Sequence, residues 1–255
     1  MQPIDLYVFT GASRGLGHAM VASRLAPAQH WLAMSRTGAP DLAARAAEVG
    51  ARFDAWAVDL GDPAPVAARL EAWLAGFDAA GVRSATLVAN AALLADPGPL
   101  ESAPAAQLSA VARVGLEAPM LLAAAFLRAT AGWRLPRKLV LISSGLGRRA
   151  MAGNASYCAV KAGLDHLART IALDEARHPE GSRALVCSLA PGVIDTGMQQ
   201  QLRSADPSRF VHAGDFAAMK SRGGLDSPAA AAAKVWARVD RADFGANPVG
   251  DVRDA

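Results

Sequence analysis

Six short, mostly apolar runs, at residues 6–9, 31–34, 53–58, 85–89, 139–142 and 184–189, alternate with helical periodicity at 15–25, 42–49, 65–77, 105–127 and 156–177. Apolar runs of this length without regular polar alternation suit strands covered on both faces, the environment of a parallel sheet. Parallel neighbours need a long crossover, and the helical stretches supply it. The alternation predicts an α/β fold of three layers, with a doubly wound parallel sheet between two sets of helices. The 255 residues show no linker, repeat or shift of composition, so one domain spanning 1–255 is expected.

The first run leads directly into Thr10-Gly11-Ala12-Ser13-Arg14-Gly15-Leu16-Gly17. A glycine-rich turn between a strand and a helix lets the backbone approach a pyrophosphate, and the following helix offers its free N–H groups to it. The spacing is G-x-x-x-G-x-G rather than the general dinucleotide fingerprint G-x-G-x-x-G. The second run ends in Met34-Ser35-Arg36, without the carboxylate that would hold the ribose hydroxyls of NAD. Arg14 and Arg36 are suited instead to a 2′-phosphate, so the expected cofactor is NADP(H) on a Rossmann-like fold.

Tyr157 and Lys161 stand four residues apart in a helical stretch and share a face. An ammonium beside a phenol favours the phenolate and makes proton transfer by tyrosine accessible. Ser144, thirteen residues before Tyr157, follows an apolar run and can steady a carbonyl oxygen as charge develops on it.

With these elements together, the chain resembles the short-chain dehydrogenase/reductase family from residue 6 to about 198. The resemblance rests on the glycine turn, Val58-Asp59-Leu60, Asn90-Ala91-Ala92, Ser143-Ser144, Tyr157-Cys158-Ala159-Val160-Lys161 and Pro191-Gly192-Val193-Ile194-Asp195-Thr196. It implies that Ser144, Tyr157 and Lys161 are catalytic. It also implies that the cofactor meets Gly11, Ser13, Arg14, Gly15, Leu16, Gly17, Arg36, Asp59, Leu60, Asn90, Ala91, Pro191, Gly192, Val193 and Thr196. Asp59 and Leu60 would flank the adenine, and Asn90 and Ala91 would sit by the adenosine ribose. Val193 and Thr196 would meet the nicotinamide carboxamide, while Tyr157 and Lys161 hold its ribose.

Residues 118–122, 142–145 and 189–199 resemble the sepiapterin and bacterial benzil reductases, which reduce vicinal dicarbonyls with NADPH. That likeness implies a small carbonyl substrate, with Asp251 as a substrate anchor. Two positions depart from the family pattern: Ala92 replaces a glycine, and Gly115 stands where the family carries a catalytic asparagine. A ketoacyl-carrier reductase and a non-catalytic NADP(H)-binding regulator remain as alternatives.

After Pro191 the periodicity loosens. Long irregular segments in compact domains are commonly functional, and 197–224 is expected to form a lid. Gly197, Gly214, Gly223 and Gly224 would be its hinges, with Met198, Phe210, Phe216 and Met219 as apolar cover. A helix at 228–239 follows.

Composition narrows the remaining classes. Hydrophobic residues at 52% and charged residues at 19% fit a large core and argue against disorder. The basic residues behind the net charge of +3 are scattered, so no nucleic-acid surface is expected. Cys158 and Cys187 form no CxxC, and the five histidines lack ligand spacing, so no metal site is expected. No signal-peptide pattern is visible and the apolar stretch 118–127 is short for a bilayer, so a cytoplasmic protein without membrane contact is expected. The same stretch is apolar nearly all round, and the family pairs its fourth and fifth helices across a two-fold axis. A homodimer is therefore expected, with a homotetramer as the further possibility.

Overall fold

A computed structural model of the chain describes residues 2–254. The strands are β1 (Ile4–Thr10), β2 (Gln29–Ser35), β3 (Arg52–Ala57), β4 (Val82–Ala89), β5 (Arg137–Ile142), β6 (Ala184–Ala190) and β7 (Val249–Asp251). They form one sheet in the order β3-β2-β1-β4-β5-β6-β7, with every neighbouring pair parallel. β7 is an addition to the six strands expected. It pairs Val249, Gly250 and Asp251 with Ser188, Leu189 and Ala190, and three residues are too few to show a strand pattern.

The helices are α1 (Gly15–Ala22), α2 (Pro40–Glu48), α3 (Pro63–Ala75), α4 (Ala105–Ala112), α5 (Ala118–Ala129), α6 (Ala155–Glu175), α7 (Gly197–Arg203), α8 (Ala213–Ser221) and α9 (Pro228–Val239). Successive strand residues face opposite ways, so each central strand feeds two cores. From β1, Leu6 and Val8 join Leu70 and Leu74 of α3, Leu122 and Phe126 of α5 and Leu164 of α6. Tyr7 and Phe9 join Met20 of α1, Leu42 of α2 and Val235 and Trp236 of α9 on the other face. Burying each such side chain contributes about 1.5–3 kcal/mol, which is why continuous apolar runs become interior strands.

A π turn at Arg113–Glu117 joins α4 to α5. Ala105–Ala129 thus forms 25 residues of helix with a mean hydropathy of 1.6, long and apolar enough by composition to cross a bilayer. The expectation based on 118–127 alone underestimated this helix. Half of its apolar window is buried inside the fold, where Leu122, Ala125 and Phe126 pack in the core.

The segment read as irregular contains α7 and α8. α7, Gly-Met-Gln-Gln-Gln-Leu-Arg, is too polar to show an apolar stripe, which hid it from pattern reading. Gly197 and Gly214 lie within the first turns of these helices, so they are not free hinges. Gly223, with φ +69°, does occupy a turn conformation suited to glycine. Phe210 is fully buried beside Ala213 and Phe216 in a small core of this segment.

Candidate active site

The strand order reverses between β1 and β4: successive strands are added outward to β3 on one side of β1 and then outward to β7 on the other, all parallel. The crossovers leave opposite faces at this point, opening a crevice beyond the carboxyl ends of the strands. A cavity of about 890 Å³ lies there, running from the glycine turn to Tyr157 and on to α7 and α8.

The glycine turn is built by close approach. A Cβ on Gly17 would stand 2.1 Å from the Gly11 carbonyl oxygen and 2.5 Å from Asn90 Nδ2, so position 17 admits no side chain. Asn90 Nδ2 donates to the carbonyls of Thr10 (3.1 Å) and Gly11 (3.2 Å), while Thr10 Oγ1 accepts from the Asn90 and Ala91 amides, both at 3.0 Å. Asn90 therefore braces the turn as well as lining the cavity. No side chain caps α1 and no acid sits in its first turn, which leaves these N–H groups available to an anion.

Arg14, Ser35 and Arg36 stand on the rim of this half, with both arginines exposed. Ser35 Oγ donates to the Gly38 carbonyl at 2.9 Å. Asp59 and Leu60 line the cavity beyond β3, and the Asp59 carboxylate accepts from the Gly61 amide at 2.8 Å. Ser13, Gly15, Leu16, Ala91, Pro191, Gly192, Val193 and Thr196 line it too.

The other half gathers three side chains from two elements. Tyr157 and Lys161 project from α6, with Lys161 Nζ 5.4 Å from the Tyr157 ring centroid. Lys161 is 2% exposed, and its Nζ donates to the Ile142 carbonyl at the end of β5 at 2.7 Å. Burial lowers its pKa to about 8, with the Asp165 carboxylate acting in the opposite direction. Ser144 follows β5 in extended conformation, and its Oγ accepts from the Leu146 amide at 3.2 Å. Burial pushes the Tyr157 phenol up to about 12, against the lowering effect of its hydrogen bond with Ser144.

Gly115 falls inside the π turn, where the Ala118 amide reaches back five residues to the Arg113 carbonyl. It is buried, and a Cβ there would stand 3.1 Å from Val160 Cγ2, one residue before Lys161. The glycine thus lets the π turn pack closely on α6.

Asp251 is the one expected site residue that does not line the cavity. It is buried at the end of β7, and its carboxylate accepts from Arg253 Nε (2.8 Å), Nη2 (2.6 Å) and backbone N (3.0 Å). These bonds hold its carboxyl below the usual range. The direct anchor role is therefore corrected: the carboxylate is already taken by its neighbour, and Arg253 is the residue on the cavity wall.

The wall also holds residues outside the expected set, among them Asn154, Arg149, Met151, Gln199, Leu202 and Arg253. A spacing signal existed for Asn154, three residues before Tyr157 and so one helical turn away. For Arg253, two residues beyond a strand too short to read, there was none. Of the expected lid cover, Met198, Phe216 and Met219 line the cavity, whereas Phe210 turns into its own core.

The family model described as short chain dehydrogenase matches residues 6–207. The chain is similar to a benzil reductase ((S)-benzoin forming) of Bacillus cereus, 28% identical over 245 residues, covering 96% of each chain. It is similar to a 3-oxoacyl-[acyl-carrier-protein] reductase of Pseudomonas aeruginosa, 31% identical over 199 residues, covering 77% of this chain and 76% of that one. Among solved structures, a 3-oxoacyl-[acyl-carrier protein] reductase from Brucella melitensis in complex with NAD superposes with a TM-score of 0.80 at 21% identity, covering 99% and 96% of the two chains.

Proposed function

The chain belongs to the short chain dehydrogenase family, and on that premise we propose that it is an NADPH-dependent carbonyl reductase whose preferred substrates are vicinal dicarbonyls. The observation that carries this reading is the meeting of Ser144, Tyr157 and the buried Lys161 on one cavity that continues to the glycine turn.

The residues present fit a phosphorylated dinucleotide. The close-packed turn at Gly11 and Gly17 leaves backbone room for a pyrophosphate at the start of α1. From Ser35 to Gly38 no acid follows β2, and Arg14 and Arg36 supply charge for a 2′-phosphate. When bound, NADPH supplies the hydride. Ser144 Oγ donates to the substrate carbonyl oxygen and fixes its position. Tyr157 holds its proton firmly and delivers it to that oxygen as negative charge builds there. Lys161 brings positive charge beside the phenol and steadies the phenolate left behind.

In this reading α7 and α8 form the substrate lid, with Met198, Phe216 and Met219 as an apolar wall that excludes water. Asp195 pairs with Arg203 of α7 and Lys220 of α8, tying the two helices together at one point. The similarity to a benzil reductase over nearly the whole chain favours a dicarbonyl. The similarity to a 3-oxoacyl-carrier reductase keeps a ketoacyl thioester as the second reading.

The test is NADPH oxidation with a panel of benzil, phenylpropanedione, sepiapterin and an acetoacetyl thioester. Turnover led by the diketones is expected. Turnover led by the thioester would replace the substrate assignment. NADPH binding without turnover on any member would favour a regulator.

A further inference from the structure

Arg253 lines the cavity with its side chain 62% exposed, while the carboxylate that holds it, Asp251, is 7% exposed. Asp251 accepts from Arg253 Nε at 2.8 Å, from Nη2 at 2.6 Å and from the Arg253 backbone amide at 3.0 Å. Asp251 is itself fixed: its amide donates to Asp254 Oδ2 at 2.8 Å, and β7 pairs it with Ala190 of β6. A long side chain at the surface ordinarily samples many rotamers, at an entropic cost when a ligand orders it. This one is already clamped by a fork of two N–H bonds.

The clamp uses one edge of the guanidinium. No acceptor among the described residues engages Nη1, so the opposite edge still presents N–H groups to the cavity. That edge matches an oxyanion, carboxylate or phosphate, in geometry and in charge. Arg149, exposed and also on the cavity, makes no ion pair among the described residues.

Position separates this edge from the cofactor's anions. The Val252 amide donates to the Ala190 carbonyl at 3.0 Å, just before Pro191 and Gly192 on the cavity wall. Arg148, in the loop that follows Ser144, donates to the Gly250 carbonyl at 2.9 Å. Arg253 therefore sits beside the strand ends that lead to Ser144 and Pro191. Arg14 and Arg36 stand at the ends of β1 and β2 instead. With strands about 4.8 Å apart, β1 and β7 are separated by about 19 Å and β2 lies one strand further. A phosphate at the glycine turn or beside Arg36 is served there, so the free edge of Arg253 is left for the substrate. The same spacing puts β7 about 10 Å from β5, the strand leading to Ser144. The group that meets Arg253 is thus remote from a carbonyl held at Ser144.

We propose that Arg253, oriented by Asp251, binds an oxyanion on the substrate, so that the preferred dicarbonyl is one carrying a carboxylate remote from the reacting carbonyl. The assignment rests on the reductase reading above and narrows its substrate class. Ser144 and Tyr157 act on the carbonyl, Arg253 receives the carboxylate, and Asp251 is a positioning residue that acts through Arg253. A neutral diketone leaves the free edge in water, whereas an acid gains charge-assisted bonds there. A phosphate on a carrier arm offers the same chemistry to a ketoacyl thioester, and the test separates the two sources.

The test measures kcat/KM for 4-carboxybenzil against its methyl ester, which lacks the charge, and for acetoacetyl-phosphopantetheine against acetoacetyl-pantetheine. Wild type should favour the carboxylate over the ester. Arg253→Met should lower that acid-to-ester ratio about tenfold or more, the scale of a charge-assisted hydrogen bond, and Arg253→Lys should recover part of it. Methionine leaves Asp251 buried without its partner, so Asp251→Asn combined with Arg253→Met gives the same reading should the single variant fail to fold. Asp251→Asn alone should lower the ratio through a higher KM for the acid, with kcat nearly unchanged. A wild-type ratio of one, or an unchanged ratio in Arg253→Met, overturns the assignment. A charge preference confined to the thioester pair overturns the carboxylate and gives the edge to a carrier phosphate.

Thermal shift of the NADPH-loaded protein reads the same contact without turnover. 4-Carboxybenzil should raise the Tm of wild type more than that of Arg253→Met. If that difference appears without turnover, the reductase reading fails and the oxyanion site stands. If acid and ester are reduced alike by wild type, the reductase reading stands and the oxyanion site is overturned.

Discussion

Ser143 Oγ donates a 2.6 Å hydrogen bond to Asp165 Oδ1, joining the end of β5 to the third turn of α6. Ser188 of β6 donates to the same oxygen at 2.7 Å, and Arg148 Nε donates to Oδ2 at 3.1 Å. Arg148 continues to the Gly250 carbonyl on β7 at 2.9 Å. Ser144 adjoins the first of these residues, and Lys161 lies one turn before the carboxylate. The buried Asp165, 1% exposed, thus sets the strand that carries Ser144 against the helix that carries Tyr157 and Lys161.

Replacing Asp165 by Ala should therefore cost about 2–4 kcal/mol, since two buried hydroxyls and a guanidinium lose their acceptor together. Asp165→Asn, which keeps the shape and one acceptor oxygen, should cost less. Urea denaturation checks both, and a loss below about 1 kcal/mol for the alanine variant would contradict the bracing role.

Arg36→Asp should shift cofactor preference from NADPH toward NADH by about tenfold or more, because it removes a charge-assisted bond to the 2′-phosphate and adds a repelling carboxylate. The ratio of kcat/KM for the two cofactors is the measurement. Equal efficiency of wild type with both would remove the basis for this assignment.

Tyr157→Phe should lower turnover by about a hundredfold to ten-thousandfold, the usual contribution of a general acid. The change removes one oxygen and little volume, so NADPH binding, followed by fluorescence, should stay close to wild type. Retained turnover on a good diketone would place the proton donor elsewhere.

Lys161 gives a stability prediction with a defined sign. Burial moves its pKa from 10.5 in an ordinary setting to about 8. Between those values the unfolded chain binds a proton that the folded protein has released, so this group makes stability rise with pH. Below about pH 8 the folded state carries the full cost of burying the ammonium; toward the unfolded value that cost disappears. Relative to Lys161→Met, wild type should gain on the order of 3 kcal/mol between pH 7 and about 10.5. Chemical denaturation of both proteins across this range reads the difference, and a relative loss would reverse the sign.

Leu173 on α6 is 73% exposed and Met120 on α5 is 45% exposed. Apolar side chains on these two helices suit the expected two-fold pairing, and Leu173→Lys should weaken it. Sedimentation at micromolar concentration should show a dimer for wild type and a larger monomer fraction for the variant. A wild-type monomer would rule the pairing out.

Local chemistry made much of this molecule readable in advance. The apolar runs at 6–9, 31–34 and 139–142 announce doubly covered strands because strand residues alternate faces and both faces meet helices here. The glycine turn and the pair Tyr157 and Lys161 are likewise written in spacings of a few residues, set by backbone geometry alone. What only the folded chain decides is which distant groups meet. Asp165 finds Ser143 and Ser188 across 22 and 23 residues, and Arg148 reaches Gly250 across 102. Asp251 turns to Arg253 rather than to the cavity, and Asn154 is left with no partner among the described residues. A polar side chain's role depends on the acceptor or donor that tertiary packing brings within about 3 Å, and no local pattern encodes that neighbour.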